Sequence, residues 1–254
     1  MKIQFNSHLS TLVVVILLCP VAKAQQAMNR WTPGATIPSG QVEVCPNNTP
    51  YPHQGGYRED ADFSGFCVRQ IPNDDCPCQV EYISLMPDMN GKNVYLLRYT
   101  EQVSSGYYSI KLSNEAWLTA TATERMTAER FSFPDASKAA LLVSPKSDFE
   151  QKTLTMGQGM AECVDGSGNE HRLLYYRLYC STPFVLNITK DGCKRLTFPE
   201  LTGRCVEVRI VTADSADELK RVMDEQVWQT DFPTILDNAK NQWENALSGQ
   251  VKKE

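Results

Sequence analysis

Gly106-Tyr-Tyr-Ser-Ile-Lys-Leu-Ser113, followed by Leu118-Thr-Ala-Thr-Ala-Thr-Glu-Arg125 and Arg130-Phe-Ser-Phe-Pro134, decides the fold class of this chain. Each piece is short and rich in Tyr, Thr, Ile or Phe, and Gly, Asn or Pro separates it from the next. That composition suits strands on a pleated, half-buried surface. The same grammar runs outward in both directions, from Gln41 to Thr212. Strand-like runs cover Gln41–Val44, Val80–Met86, Val94–Tyr99, Tyr107–Leu112, Ala116–Thr121 and Arg130–Phe133. They continue through Ala139–Val143, Gly159–Val164, Leu173–Tyr179, Phe184–Ile188 and Cys205–Val211. Runs this short and closely spaced predict an antiparallel sandwich or barrel rather than βαβ units. Asp165-Gly-Ser-Gly-Asn169 is the clearest hairpin-loop signal. The Tyr107-Tyr108 and Tyr175-Tyr176 pairs are expected to pack as strand residues, because neighbours face opposite sides.

The pattern changes at Asp214. Ser215-x-x-Glu218 forms a capping box, and Leu219, Val222, Met223 and Val227 fall on one helical face. A second helix is predicted from near Asp231, with Pro233 in its first turn, where a missing N–H costs nothing. Ile235, Leu236, Ala239, Trp243, Ala246 and Leu247 recur at threes and fours, and Gly249 suits the C-cap. The expected fold is therefore all-β: a large antiparallel β-sandwich over 25–213, with a short C-terminal helical pair over 214–254. The apolar face of that pair is expected to lie on the sheet of its own chain.

The N-terminus has the form of a secretory signal. Lys2 precedes the apolar run Leu12-Val-Val-Val-Ile-Leu-Leu18, and Ala22-Lys-Ala24 is a cleavage site, giving a leader over 1–24. The run is too short to span a bilayer and no second one follows, so a secreted or periplasmic chain is expected. Lipidation at Cys19 is the alternative, opposed by the bulky Leu18. Loss of the leader removes Lys2 and Lys23 and no acid, taking the net charge from −5 to −7. An acidic chain without a basic run is a poor partner for nucleic acid or an anionic membrane.

Eight cysteines remain after the leader, at 45, 67, 76, 78, 163, 180, 193 and 205. An even count in an exported chain favours disulfides, whose connectivity does not follow from sequence. The pairs Cys163–Cys180 and Cys193–Cys205 each flank a candidate hairpin and are the working expectation. Cys76-x-Cys78 lacks zinc-ligand spacing and has no nearby histidine, so no metal site is expected.

Four stretches, in order, resemble the N-terminal part of family 92 glycoside hydrolases, the calcium-dependent exo-α-mannosidases. Pro33-Gly-Ala-Thr-Ile-Pro-Ser-Gly40 is similar to the family's PGAT segment. Gly56-Tyr57 with Gly65-Phe66 is similar to its GY…GF pair, and Leu85-Met-Pro87 to its LLMP. The opening block Gly106–Pro134 is the fourth. Trp228-x-x-Asp-Phe232, with Ala239 and Trp243, looks like the helical linker to the family's second domain. The resemblance spans roughly residues 28–247 and implies an N-terminal sandwich followed by linker helices. In the family, a helical barrel carries the catalytic carboxylates and most of the calcium environment.

No Asp or Glu here falls in a segment resembling the catalytic motifs, and inverting hydrolysis needs a paired acid and base. The chain alone is expected not to be a mannosidase and to need no cofactor, calcium being implied for the barrel. The expected role is non-catalytic recognition of α-mannosides. The alternatives are a subunit whose C-terminal helices dock on a separate glycosidase barrel, and a truncated portion or diverged duplicate that keeps no sugar chemistry. His53 stands where the family has a sugar-stacking Trp, beside Tyr57. Where the family reads SHTHLSGTGC, this chain reads Cys67-Val-Arg-Gln-Ile-Pro-Asn-Asp-Asp-Cys76, so Val68 and Gln70 replace both histidines. Arg69, Gln70, Asn73, Asp74 and Asp75 form a polar cluster on an expected loop. Their planar amides and carboxylates suit sugar hydroxyls, because they accept and donate in pairs. With His53 and Tyr57 they are the candidate carbohydrate contacts.

Overall fold

A computed structural model describes residues 35–49, 62–71, 80–89, 94–144, 148–164, 171–190, 192–221 and 227–251. All belong to one compact unit, Pro33–Glu254. Its strands are β1 (Val42–Thr49), β2 (Asp62–Gln70), β3 (Glu81–Asp88), β4 (Gln102–Ser104), β5 (Tyr107–Lys111), β6 (Trp117–Ala122) and β7 (Met126–Ser132). They continue with β8 (Ala140–Val143), β9 (Asp148–Gln151), β10 (Met156–Val164), β11 (His171–Cys180), β12 (Val185–Ile188), β13 (Lys194–Thr197) and β14 (Cys205–Ala213). Helices α1 (Ala216–Arg221) and α2 (Phe232–Val251) follow. Two antiparallel sheets result. One has six strands in the order β1-β2-β3-β8-β13-β12, the other eight in the order β4-β5-β6-β7-β14-β11-β10-β9. The all-β sandwich with a C-terminal helical pair is as the sequence predicts.

Alternation along the strands places one apolar set between the sheets. Val42, Val44, Phe66, Val68, Tyr82, Leu85, Leu141 and Leu196 come from the six-stranded sheet. They meet Tyr108, Ile110, Leu118, Phe131, Tyr176, Leu178, Val208 and Ile210 in one continuous core. Aromatic contacts join the layers. Phe66 lies 6.3 Å from Tyr108 and 6.5 Å from Phe131, and Tyr82 meets Tyr176 edge-on at 6.2 Å. Tyr108 and Tyr176 are thus core residues, as expected of strand packing.

The far face of the eight-stranded sheet carries the helices. Leu219 of α1 and Val227 pack with Tyr179, Val211 and Ala213. Phe232 and Ile235 of α2 pack on Ala128. Gly106 has φ +69°, and a Cβ there would stand 2.6 Å from the Ala239 Cβ, so glycine is required for both reasons. The helices thus lie on their own sheet. Both expected N-termini form: the Glu218 amide donates to Ser215 Oγ at 3.1 Å, and the Thr234 amide to Asp231 Oδ1 at 2.9 Å.

Several expectations need correction. Val94–Tyr99 is not a strand. Only Leu96 bridges, to Leu112, before a 3-10 turn over Arg98–Thr100 closed by Thr100 Oγ1 donating to the Leu97 carbonyl at 2.6 Å. With Tyr99 85% exposed, the run has no second face to bury. Gly249 does not end α2, which runs to Val251. Strands β2, β4, β9 and β13 are absent from the sequence expectation. Neither expected disulfide forms, since Cys180 and Cys205 are free thiols. In the β10–β11 hairpin Cys163 lies opposite Arg172, eight residues from Cys180. That is about 27 Å along the strand, against under about 7 Å between the Cα atoms of a disulfide. Cys193 precedes β13 in one sheet and Cys205 opens β14 in the other.

Candidate functional site

Of the seven candidate sugar contacts, Arg69 and Gln70 lie among the described residues, and they are not on a loop. They end β2, and both are buried. Because Val42, Val44, Phe66 and Val68 face the core, Glu43, Cys45, Cys67 and Arg69 share the outer face of the six-stranded sheet. Register sets them in rows: Glu43–Arg69–Glu81 and Cys45–Cys67–Ser84. The Arg69 guanidinium donates to the Glu43 carboxylate. Asn47 Nδ2 donates to Glu81 Oε2 at 2.9 Å. Gln70 accepts from the Tyr82 hydroxyl at 2.5 Å. Arg69 and Gln70 therefore spend their polar groups inside the protein.

His53, Tyr57, Asn73, Asp74 and Asp75 lie outside the described residues. The strand ends that flank them do not adjoin, however. The connection holding His53 and Tyr57 joins β1 to β2, and the one holding Asn73 to Asp75 leaves the other end of β2. Nine extended residues put those ends about 27 Å apart. The resemblance also gains a local reason at Gly65. Its φ is +130°, and a Cβ would meet Ser84 Oγ at 2.6 Å.

A second polar site, missed in the sequence, lies on the outer face of β9, β10 and β11 beside α1. Register aligns Glu150, Gln158 and Arg177 in one row and Asp148, Met160 and Tyr175 in the next. They line a cleft of about 340 Å³, closed on one side by Leu219 and Lys220. Gln158 Nε2 donates to Glu150 Oε1 at 3.2 Å, and Lys152 pairs with Glu150 at 2.5 Å. The Lys152 hydrogen bond, before its charge, holds the Glu150 carboxyl below its ordinary value. An aromatic ring beside planar donors and acceptors is chemistry that fits a polyhydroxylated ligand. The signal was present as alternation in β10 and β11, but only cross-strand register assembles it.

The linker between the helices is fixed from the sheet below. Arg209, buried, donates through Nη1 to the Val227 carbonyl and to that of Thr230 at 2.8 Å. Its guanidinium stacks on Trp228 at 4.4 Å, and Arg130 lies over Phe232 at 4.3 Å. Glu207 joins the two, meeting Arg209 Nε at 2.7 Å and Arg130 Nε at 2.9 Å. Trp228, Asp231 and Phe232 of the linker motif are thus two cation-stacking rings and a helix cap. Trp243 Nε1 donates to the Thr36 carbonyl at 2.8 Å, tying this tail to the Pro33–Gly40 segment. Arg125 bridges to Asp214 at 3.1 Å and Glu218 at 3.3 Å, anchoring α1.

Among the described residues no group of three or more His, Cys, Asp or Glu side chains is placed to hold a metal ion. No helix there is long and apolar enough to cross a membrane.

Comparison with known proteins agrees with this architecture. An inverting mannosidase of family GH92 from Bacteroides thetaiotaomicron is 18% identical, with a TM-score of 0.68 over 85% of this chain and 33% of its own. A GH92 α-mannosidase from the same organism, solved with mannoimidazole, is 16% identical, with a TM-score of 0.68 over 85% of this chain and 35% of its own. The chain thus spans about a third of the length of these enzymes, and the likeness is one of fold. No curated protein matches it in sequence. Residues 25–184 match the glycosyl hydrolase family 92 N-terminal domain, and the chain therefore belongs to that family.

Proposed function

We propose that this chain is a secreted, non-catalytic carbohydrate-recognition sandwich whose ligands are α-mannosides. The observation that carries the reading is the cleft on β9, β10 and β11. There Tyr175, Gln158, Arg177, Glu150 and Asp148 converge on a face of a fold from a sugar-processing family. Sugars bind such surfaces by stacking an apolar face on an aromatic ring while paired groups take the hydroxyls. Recognition needs no bound metal on this reading, so calcium is a variable of the test rather than a premise.

The test is a titration of the full chain with mannose and short α-mannosides, with and without calcium, followed by calorimetry or NMR. Saturable binding that Gln158→Ala or Tyr175→Ala weakens tenfold or so, about 1.4 kcal/mol, supports recognition at the cleft. Binding that instead depends on His53 or Tyr57 supports recognition at the β1–β2 connection. No binding at millimolar sugar overturns the reading.

A rival reading, a subunit that docks on a separate glycosidase barrel, draws on α2. From Lys240 to Ser248 no residue of that helix is buried, and Leu247 is 50% exposed. Mannosidase activity that appears on mixing with a separately expressed family barrel, and falls with Leu247→Glu, supports that role. No co-elution and no activity sinks it.

A further inference from the structure

We propose that Cys45 and Cys67 close a cross-strand disulfide that pins β1 to β2 when the chain folds under oxidising conditions. The two residues are directly opposed in the antiparallel register. Such pairs hold their Cα atoms about 4.5–5.5 Å apart, inside the range a disulfide spans. The two sulfurs already face each other at 3.4 Å. Bond formation therefore needs small side-chain rotations and no movement of the strands.

Burial fits a bond better than two thiols. Cys45 is 0% and Cys67 1% exposed, and a disulfide has no S–H left to satisfy there. The hydrogen bond with Cys45, then burial, push the Cys67 thiol well above its usual value. Cys67 in the folded chain thus holds little thiolate, and thiolate is the reactive form. The bond forms before the hairpin is buried, and burial then shields it from reductants.

The chemistry is thiol–disulfide exchange with a low-molecular-weight disulfide. One cysteine thiolate attacks that disulfide and expels one thiol, leaving a mixed disulfide. The second cysteine attacks the first cysteine's sulfur and expels the other thiol. Two protein thiols and one disulfide become one protein disulfide and two small thiols.

The position gives the bond a purpose. The β1–β2 register shifts once beside the pair, between Asn47 and Asn48, where β2 skips Ser64. A slip of one residue would set Cys45 against Phe66 or Val68 and turn an apolar side chain out of the core. The crosslink forbids that slip and fixes both ends of the connection that holds His53 and Tyr57.

The test refolds the reduced full chain in a buffer of oxidised and reduced glutathione. Free thiols are then alkylated in denaturant, and the chain is digested with trypsin without reduction. Cleavage after Arg30, Arg58 and Arg69 separates Cys45 from Cys67. The expected result is a linked pair of peptides, residues 31–58 and 59–69, that reduction divides. The Cys45→Ala/Cys67→Ala variant should lose the linked species and melt about 10 °C below the oxidised parent. Alkylation of both cysteines after oxidative refolding overturns the proposal. So does a link from either one to Cys76 or Cys78.

Discussion

Glu129 sits on β7 with its side chain turned into the sandwich, on the same face as Phe131, and is fully buried. Its one hydrogen-bond partner among the described residues is Thr127 Oγ1, at 3.3 Å from Oε1, and Oε2 has none. Burial pushes the carboxyl from 4.5 up to about 8, opposed only by that hydroxyl. At pH 7 the folded chain therefore keeps Glu129 neutral, while the unfolded chain ionises it. The unfolded state gains about 1.4 kcal/mol for each pH unit above its own value, or about 3 kcal/mol at pH 7. A domain has only about 5–15 kcal/mol of stability in all, so this is a substantial fraction.

The sign is fixed by proton counting. Between about pH 4.5 and 8 the folded state binds one more proton than the unfolded state, so stability falls as pH rises through that window. Above about 8 both states are ionised and the slope from this group vanishes. Glu129→Gln retains the acceptor for Thr127 and cannot ionise. Urea unfolding of both proteins from pH 5 to 8 should show the variant gaining on the parent by about 2.5 kcal/mol between pH 5 and pH 7. Every other titrating group is common to the two and cancels in the difference. Parallel pH profiles would refute the reasoning and mean that Glu129 is solvated or paired in solution.

Three further outcomes test the parts that hold the helices. Gly106→Ala should cost about 1–3 kcal/mol in chemical denaturation, from its positive φ and its clash with Ala239. Adding Ala239→Gly should recover the clash but not the backbone strain, so complete recovery would refute the φ argument. Asp231→Ala removes the cap of α2 and should lower the melting temperature. Arg209→Met leaves the Val227 and Thr230 carbonyls without their donor and should cost about 3–5 kcal/mol. It should also blue-shift or broaden the Trp228 fluorescence, whereas an unchanged spectrum would mean that the stacked geometry does not persist.

The legible parts of the fold were those whose signal is local. β5, β6 and β7 announce themselves through β-branched and aromatic residues between turn formers. The caps at Ser215 and Asp231 need only three or four neighbouring residues to be seen. β2 was opaque for the opposite reason. Gly65 interrupts it with a conformation most residues avoid, and Arg69 and Gln70 look like loop polarity until Glu43 and Tyr82 arrive from other strands. The same holds for the sites. A polar residue's exposure is decided by what register places opposite it, and register is a property of two strands. Arg69 and Gln70, read as part of a polar loop, are instead strand residues whose polar groups are taken up by Glu43 and Tyr82. Meanwhile Glu150, Gln158, Arg177 and Tyr175, scattered over 28 positions of sequence, were brought together by pairing alone. Recognition on a sheet face is built across strands, and the cleft on β9, β10 and β11 is where that construction yields an aromatic ring with planar polar groups around it.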